Sequence, residues 1–308
     1  MDKTVLVTTG NGMFGGALIK ELAGDSEVAV RAMVRHRANN ESPAPNVSYV
    51  TGDLDDPASL TRAVAGVTHV FLVSPMDEHV ATREQNMIDA AAASDSRPHV
   101  IKIHGAVNHR GDRLGSLHER SIEHLRATGL AWTLVSPNSV METSFNWLPE
   151  TIKFDTIFGM SGHGRVGLVA LADVARVAAA VIRDGGAAGE NLLLTGPATL
   201  DMYQVAEAFT TALGRTIHYR DMPEDEFAAM MLDWGAFPDR DAAEVGILCH
   251  LRAWGRGDAE LVTDTCRRIT GREPIGVAEW LTEHLGMFNA PQSDQDRATA
   301  AEVAAQFG

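Results

Sequence analysis

The strongest constraint on this chain lies in its first forty residues. Thr4-Val5-Leu6-Val7-Thr8 is a short apolar, β-branched run of the kind that forms a buried strand. Thr9-Gly10-Asn11-Gly12-Met13-Phe14-Gly15-Gly16 follows at once. A helical pattern then begins, with Phe14, Leu18, Ile19 and Leu22 on one face. Val28–Val34 reads as the next strand and is closed by Arg35-His36-Arg37. A glycine-rich turn between strand and helix lets the backbone approach a pyrophosphate, and the helix N-terminus offers N–H groups and partial positive charge to it. Gly10-x-Gly12-x-x-Gly15 alone is a weak signal, and its place between a strand and a helix is what makes it a candidate dinucleotide site. The alternative is a tight turn with no ligand.

The end of the second strand bears on the choice of cofactor. A carboxylate there bonds a ribose 2′-hydroxyl and favours NAD, whereas an arginine accommodates the 2′-phosphate of NADP. The chain offers Arg35 and Arg37, and no carboxylate before Glu41. A guanidinium matches phosphate geometry in a bidentate way. The expectation is NADPH in preference to NADH; the alternative is a solvated basic loop.

Further apolar runs at 47–50, 70–73, 100–103 and 132–135 alternate with helical patterns. Such alternation predicts an α/β chain with a Rossmann-type, doubly wound parallel sheet. Ligands of such sheets sit beyond the carboxyl ends of the strands, here Thr9-Gly10, Arg35, Ser74-Pro75, His104 and Pro137. After Pro137 the pattern loosens. The expected organisation is a dinucleotide-binding domain at 1–137 and a polar, alanine-rich tail at 290–308. Between them, 138–289 reads as a smaller, mostly helical, substrate-covering region with returning sheet elements.

Composition narrows the function classes. A formal charge of −15 over 308 residues repels nucleic-acid phosphates and anionic membranes. No apolar run reaches the length of a membrane span. Met1-Asp2-Lys3 runs straight into the first strand, so no signal peptide is expected and the location is expected to be cytoplasmic. Cys249 and Cys266 lack metal-ligand spacing and read as reduced thiols, the histidines are scattered, and no metal is expected. The expected partner is a small hydrophobic substrate, with the protein a monomer or homodimer.

With these residues in view, the chain resembles the NmrA-like branch of the atypical short-chain dehydrogenases, above all its NADPH-dependent quinone oxidoreductase-like members. The resemblance covers about Thr4 to Phe288. The family's turn commonly reads Gly-Ala-Thr-Gly-x-x-Gly; here it is Thr9-Gly10-Asn11-Gly12-Met13-Phe14-Gly15, with threonine at the first glycine. Ala32-Met33-Val34-Arg35 looks like the family's second strand with its phosphate-reading arginine. Asp53-Leu54 and Val73-Ser74-Pro75 look like its adenine-edge and nicotinamide-ribose loops. The segment from Gly129 through Pro137 to Glu142 is similar to the one that enters the family's substrate pocket. Leu171-Ala172-Asp173-Val174-Ala175 and Leu194-Thr195-Gly196-Pro197 also match.

Classical members of that superfamily use Tyr-x-x-x-Lys, in which the lysine lowers the tyrosine pKa. Here the residues four past Tyr49, Tyr203 and Tyr219 are Asp53, Glu207 and Pro223. His104 stands at the end of the fifth strand, where relatives usually place a serine, and could bond a substrate carbonyl or donate a proton. His118 opens the next helix, where many relatives carry His-x-x-x-Glu; Ile122 occupies the glutamate position. Alternatively, His104 fixes local geometry and His118 braces its helix. Candidate pocket walls are Met141, Phe145 and Trp147, then Met230, Met231 and Trp234. The spacing of the last set with Phe227 also fits the buried face of a helix. The resemblance implies reduction of a small hydrophobic acceptor, such as a quinone or enone, by hydride from NADPH. Two other readings stand beside it: a non-catalytic NADP(H)-binding redox sensor of the NmrA type, and a weaker one, an epimerase or dehydratase.

Overall fold

A central sheet forms where the apolar runs predict it. The structure, a computed structural model, describes residues 3–36, 42–105, 108–109, 111–289, 293–296 and 298. Strands β1 (Lys3–Val7), β2 (Val28–Val34), β3 (Val47–Thr51), β4 (His69–Leu72), β5 (His99–Ile103) and β6 (Trp132–Pro137) join a strand at Asn191–Leu194. Their order across the sheet is Asn191–Leu194, β6, β5, β4, β1, β2, β3, and every neighbouring pair is parallel. Parallel neighbours need crossovers, and α1 (Met13–Leu22), α2 (Pro57–Val64), α3 (Val80–Ala93) and α4 (Arg113–Ala127) supply them. Helices on both faces explain why β1 and β4 are continuous apolar runs instead of alternating ones. Val5, Leu6, Val7, Val70 and Leu72 are all fully buried.

The order of travel through the sheet reverses between β1 and β4. From β1 the chain moves outward to β2 and β3; from β4 it moves the other way through β5 and β6. Ligands of open α/β sheets bind at that switch point. Thr8, fully buried, holds the two strand ends together there: its hydroxyl donates to the Val73 carbonyl at 2.6 Å and accepts from the Val73 amide at 2.9 Å.

The chain divides into two interleaved units. Met1–Pro137, Leu171–Leu194 and Asp264–Arg272 form the first; Asn138–Ala170, Thr195–Thr263 and Glu273–Gly308 form the second. The second unit has two small parallel pairs, Thr156–Gly159 with His218–Asp221 and Ser139–Val140 with Leu168–Val169. Its core is aromatic. Phe145 meets Phe209 and Trp280 edge-on, with ring centroids 5.8 and 5.5 Å apart, and Phe209 meets Phe288 at 4.9 Å. No helix among the described residues is long and apolar enough to cross a membrane.

At the amino edge of the sheet, burial and the neighbouring His99 lower the pKa of His69 to about 4. In the unfolded chain the value is near 6.5. Between these values the unfolded state binds more protons, so stability rises with pH and is lost as pH falls from about 6.5 towards 4. His69→Gln is expected to remove up to about 1.4 kcal/mol per pH unit from that slope. Urea midpoints measured across this range check it; an unchanged slope contradicts burial as the cause.

Candidate functional site

The turn after β1 has two backbone anchors and very little space. The Gly10 amide donates to the Met33 carbonyl and the Gly12 amide to the Thr9 carbonyl, both at 2.7 Å. A Cβ on Gly10 would stand 3.0 Å from Ala32 Cβ, and one on Gly15 would stand 2.5 Å from the Thr9 carbonyl oxygen. Only glycine allows the helix to pack this closely onto the strand. Gly12 is the N-cap of α1. It contributes no capping side chain, and the first turn of the helix holds no acidic residue. By contrast α2 and α4 are capped by Asp56 and Asp112. The α1 N-terminus therefore keeps its partial positive charge for a ligand. Asn11 and Met13 are exposed beside it, and Phe14 is half-buried.

Thr9 shows what the departure from the family's first glycine does. Its φ is +49°, in the left-handed region that disfavours β-branched residues. The turn keeps a glycine-like conformation without the glycine.

Arg35 follows β2 directly and is exposed, with no ion-pair partner among the described residues. Arg37 lies outside the described residues. Asp53 is half-buried after β3 and accepts the Asp55 amide at 3.0 Å. Leu54 is a buried core residue whose carbonyl accepts the Asn86 side chain at 2.9 Å. Arg83 of α3 joins the loops after β3 and β4 through Asp55 at 3.0 Å and Asp77 at 2.6 Å. These residues fit a dinucleotide: a cradle closed to any Cβ, an uncapped helix N-terminus and a cation at the end of β2. If NADP(H) binds, Gly10 to Gly15 would hold the pyrophosphate and Arg35 the 2′-phosphate.

Across the switch point the carboxyl edge is polar and buried. Lys102 of β5 is fully buried and pairs with Glu84 of α3 at 2.8 Å. It also donates to the Ile103 carbonyl at 3.0 Å and to His118 Nδ1 at 3.3 Å. Glu84 accepts Ser121 Oγ at 2.6 Å and Ser74 Oγ at 3.3 Å. Ser74 is thus anchored from beneath, next to half-buried Val73 and exposed Pro75. The sequence reading assigns no role to Lys102 or Glu84. The available signal is a lysine inside the apolar run 100–103, which a sheet covered on both faces accepts only with a buried partner.

His104 sits 5.6 Å, ring to ring, from His118. Its Nδ1 lies 3.1 Å from Ser136 Oγ, and the Ser136 hydroxyl donates to Asn191 Oδ1 at 2.5 Å. The single hydroxyl proton is thereby committed, so His104 Nδ1–H donates to Ser136 and Nε2 carries the lone pair. Burial, then Lys102, Arg126 and His109, lower its pKa to about 4. Near neutral pH His104 is therefore uncharged. Pro137 ends β6 and is buried.

In the second unit, Trp147, Glu150, Lys153, Phe154, Met231, Trp234 and Ala236 line a cavity of about 380 Å³. Three of the six expected wall residues, Trp147, Met231 and Trp234, are therefore on it. Met141 and Phe145 are not: both are fully buried in the aromatic core. Met230 packs against that core and does not line the cavity. Trp234 is 46 % exposed and meets Phe158 edge-on, whereas Phe227 is fully buried, as a core-facing helix position requires.

Two substitutions test the turn. Thr9→Gly is expected to raise stability by about 1 kcal/mol through release of the left-handed strain, and Gly15→Ala to lower it by about 1–3 kcal/mol through overpacking. Urea denaturation reads both; a destabilised Thr9→Gly protein contradicts the strain.

Comparison with known proteins bears on the family and the fold. Residues 10–185 match the family model described as NAD(P)H-binding. An NAD(P)H azoreductase from Xenophilus azovorans is 26% identical over 290 residues, covering 93% of this chain and 99% of that protein. Quinone oxidoreductase 2 of Escherichia coli (strain K12) is 26% identical over 240 residues, covering 76% of this chain and 83% of that protein. Among solved structures, the NADPH complex of an E. coli NADPH-dependent quinone oxidoreductase superposes with a TM-score of 0.81 at 22% identity, over 91% of this chain and 99% of that one. The NADP(H) complex of triphenylmethane reductase from Citrobacter sp. gives 0.80 at 20% identity, over 91% and 99%. These likenesses carry the Rossmann-type fold, and the family match covers the whole glycine-rich turn from Gly10 onward. The chain belongs to the NAD(P)H-binding family.

Proposed function

We propose that this protein is an NADPH-dependent oxidoreductase that reduces a small hydrophobic acceptor, such as a quinone, an enone or a related aromatic compound. The observation that carries the reading is the uncapped α1 N-terminus at a switch point whose second strand ends in exposed Arg35. The relatives named as an azoreductase and a quinone oxidoreductase support the same class of chemistry. Bound dihydronicotinamide supplies a hydride. The chain's part is to bind, orient and exclude water, and an activated acceptor asks for little acid–base help beyond that. The absence of a Tyr-x-x-x-Lys pair therefore leaves reductase activity possible and disfavours simple ketones. The cavity walled by Trp147, Phe154, Met231 and Trp234 suits a flat hydrophobic acceptor.

Purified protein is expected to oxidise NADPH in the presence of a naphthoquinone or an azo dye. Arg35→Ala should raise KM for NADPH by tenfold or more, on the order of 1.4 kcal/mol, while KM for NADH stays nearly unchanged. Equal losses for both cofactors contradict the 2′-phosphate assignment. Trp234→Ala should raise KM for the acceptor several-fold, roughly 1 kcal/mol, and leave KM for NADPH unchanged. Tight NADPH binding with no turnover across quinones, enones and dyes would overturn the reductase and leave the redox-sensor reading.

A further inference from the structure

The cavity of the second unit is walled from two separate stretches of chain. Trp147 and Phe154 come from the segment 147–154; Met231, Trp234 and Ala236 come from the end of the helix Glu224–Asp233 and the turn after it. Trp147 meets Phe227 of that helix edge-on at 6.1 Å, and Trp234 meets Phe158 at 5.9 Å. The helix stops at Gly235, whose φ is +69°. There the Gly235 amide donates to the Leu232 carbonyl at 2.9 Å and the Ala236 amide to the Met231 carbonyl at 3.0 Å. The chain then runs through Phe237 and Pro238 to Asp239, which caps the next helix by accepting the Ala242 amide at 2.8 Å.

That next helix is interrupted. Between Arg240–Ala243 and Cys249–Gly255 lies a π-helical turn, Glu244–Leu248, an irregularity found most often at functional places. Gly246 sits in this turn, against Phe237. A Cβ on Gly246 would stand 2.3 Å from the ring Cε1, 3.0 Å from Cζ and 3.3 Å from Cδ1, so the ring edge occupies the place a side chain would take. Phe237 is the one large apolar side chain between Gly235 and Asp239, and it packs against the core of the unit. Ion pairs tie the interrupted helix to the start of the first one. Arg252 bonds Glu224 at 2.7 Å and Glu244 at 2.8 Å, and Arg240 bonds Asp225 at 2.9 Å. These pairs hold the helices; Phe237 in its notch holds the connection that carries Ala236 and follows Trp234.

We propose that Gly246 and Phe237 form the seat that sets the width of the acceptor cavity, and so select flat acceptors of two or three rings. Phe237 is a positioning residue: it is not among the residues that line the cavity, and it acts through Ala236 and Trp234. The proposal rests on the reading of this cavity as the acceptor site. A volume of about 380 Å³ lies at the lower end of the range for drug-sized ligands, roughly 300–1,000 Å³, and exceeds the needs of a single ring. Aromatic walls grip a flat ligand only while they stay one ring thickness apart. A gap of about 0.5–1 Å already forfeits a quarter to a half of the dispersion attraction. A wall that drifts outward therefore costs a ligand affinity in proportion to the ring area that touches it.

The test uses the full chain, NADPH and three acceptors: benzoquinone, a naphthoquinone and an azo dye. Gly246→Ala drives the ring from its notch, while alanine is otherwise favourable in a helix and keeps the fold. It should raise KM for the naphthoquinone and the dye about fivefold or more, raise that for benzoquinone less, and leave KM for NADPH within about twofold of wild type. A leucine at 237 ends near the ring Cδ1, 3.3 Å from the added Cβ, and so fits the narrowed notch. Phe237→Leu/Gly246→Ala should therefore bring the acceptor KM values back to within about twofold of wild type. A folded Gly246→Ala protein with wild-type KM values, a loss shared equally by NADPH and every acceptor, or a double variant no better than the single one overturns the proposal. Trp234 fluorescence, isolated by subtracting the spectrum of Trp234→Phe in each background, reads the wall without turnover. It should shift to the red in Gly246→Ala and return in the double variant; an unchanged spectrum also overturns the proposal. A wild type that reduces no acceptor, or a Trp234→Ala protein with unchanged acceptor KM values, defeats the acceptor-site reading instead. The fluorescence then decides alone whether Gly246 and Phe237 position this wall.

Discussion

At the carboxyl end of β1 the backbone must leave the sheet, turn within a few residues and enter α1 while touching β2. Ala32 and the Met33 carbonyl stand against Gly10, and the Thr9 carbonyl stands against Gly15. Close packing there leaves no room for side chains, and so backbone amides line the turn. Thr8 ties the same point to β4 across the switch in strand order. The left-handed Thr9 is the conformational cost of that geometry in a chain without glycine at this position.

The carboxyl edge then divides into two chemical halves. On the β1–β2–β3 side it presents the α1 N-terminus, without a capping side chain, and exposed Arg35. On the β4–β5–β6 side it holds one hydrogen-bonded cluster of Ser74, Glu84, Lys102 and His118, and a second contact between His104 and Ser136. Satisfied polar groups in a low-dielectric interior hold one another rigidly. Arg35 on the first side is exposed, whereas Lys102, Glu84 and His118 on the second are buried.

Much of the first unit is legible in sequence because its signals are local. A β-branched run, three glycines and a 3.6-residue apolar repeat lie within twenty residues and describe β1, the turn and α1. The Lys102–Glu84 pair is not local: its partners are eighteen residues apart on a strand and a helix, and only the sheet order brings them together. His118 is readable as a candidate, but its contact with that lysine is not. The apolar pocket is hard for another reason. Methionine and aromatic residues build cores and cavities alike, so Phe145 in the core and Trp234 at the cavity look the same in sequence. Phe154 and Lys153, which line the cavity, carry no periodicity that marks them.

The most direct measurement of the central claim, that the carboxyl edge at β1 and β2 is built for a 2′-phosphorylated dinucleotide, is calorimetric titration of the purified protein with NADPH and with NADH. One NADPH per chain, bound about tenfold or more tighter than NADH with a preference that shrinks as salt is added, is the predicted result. Equal affinities, or no binding of either, would contradict it.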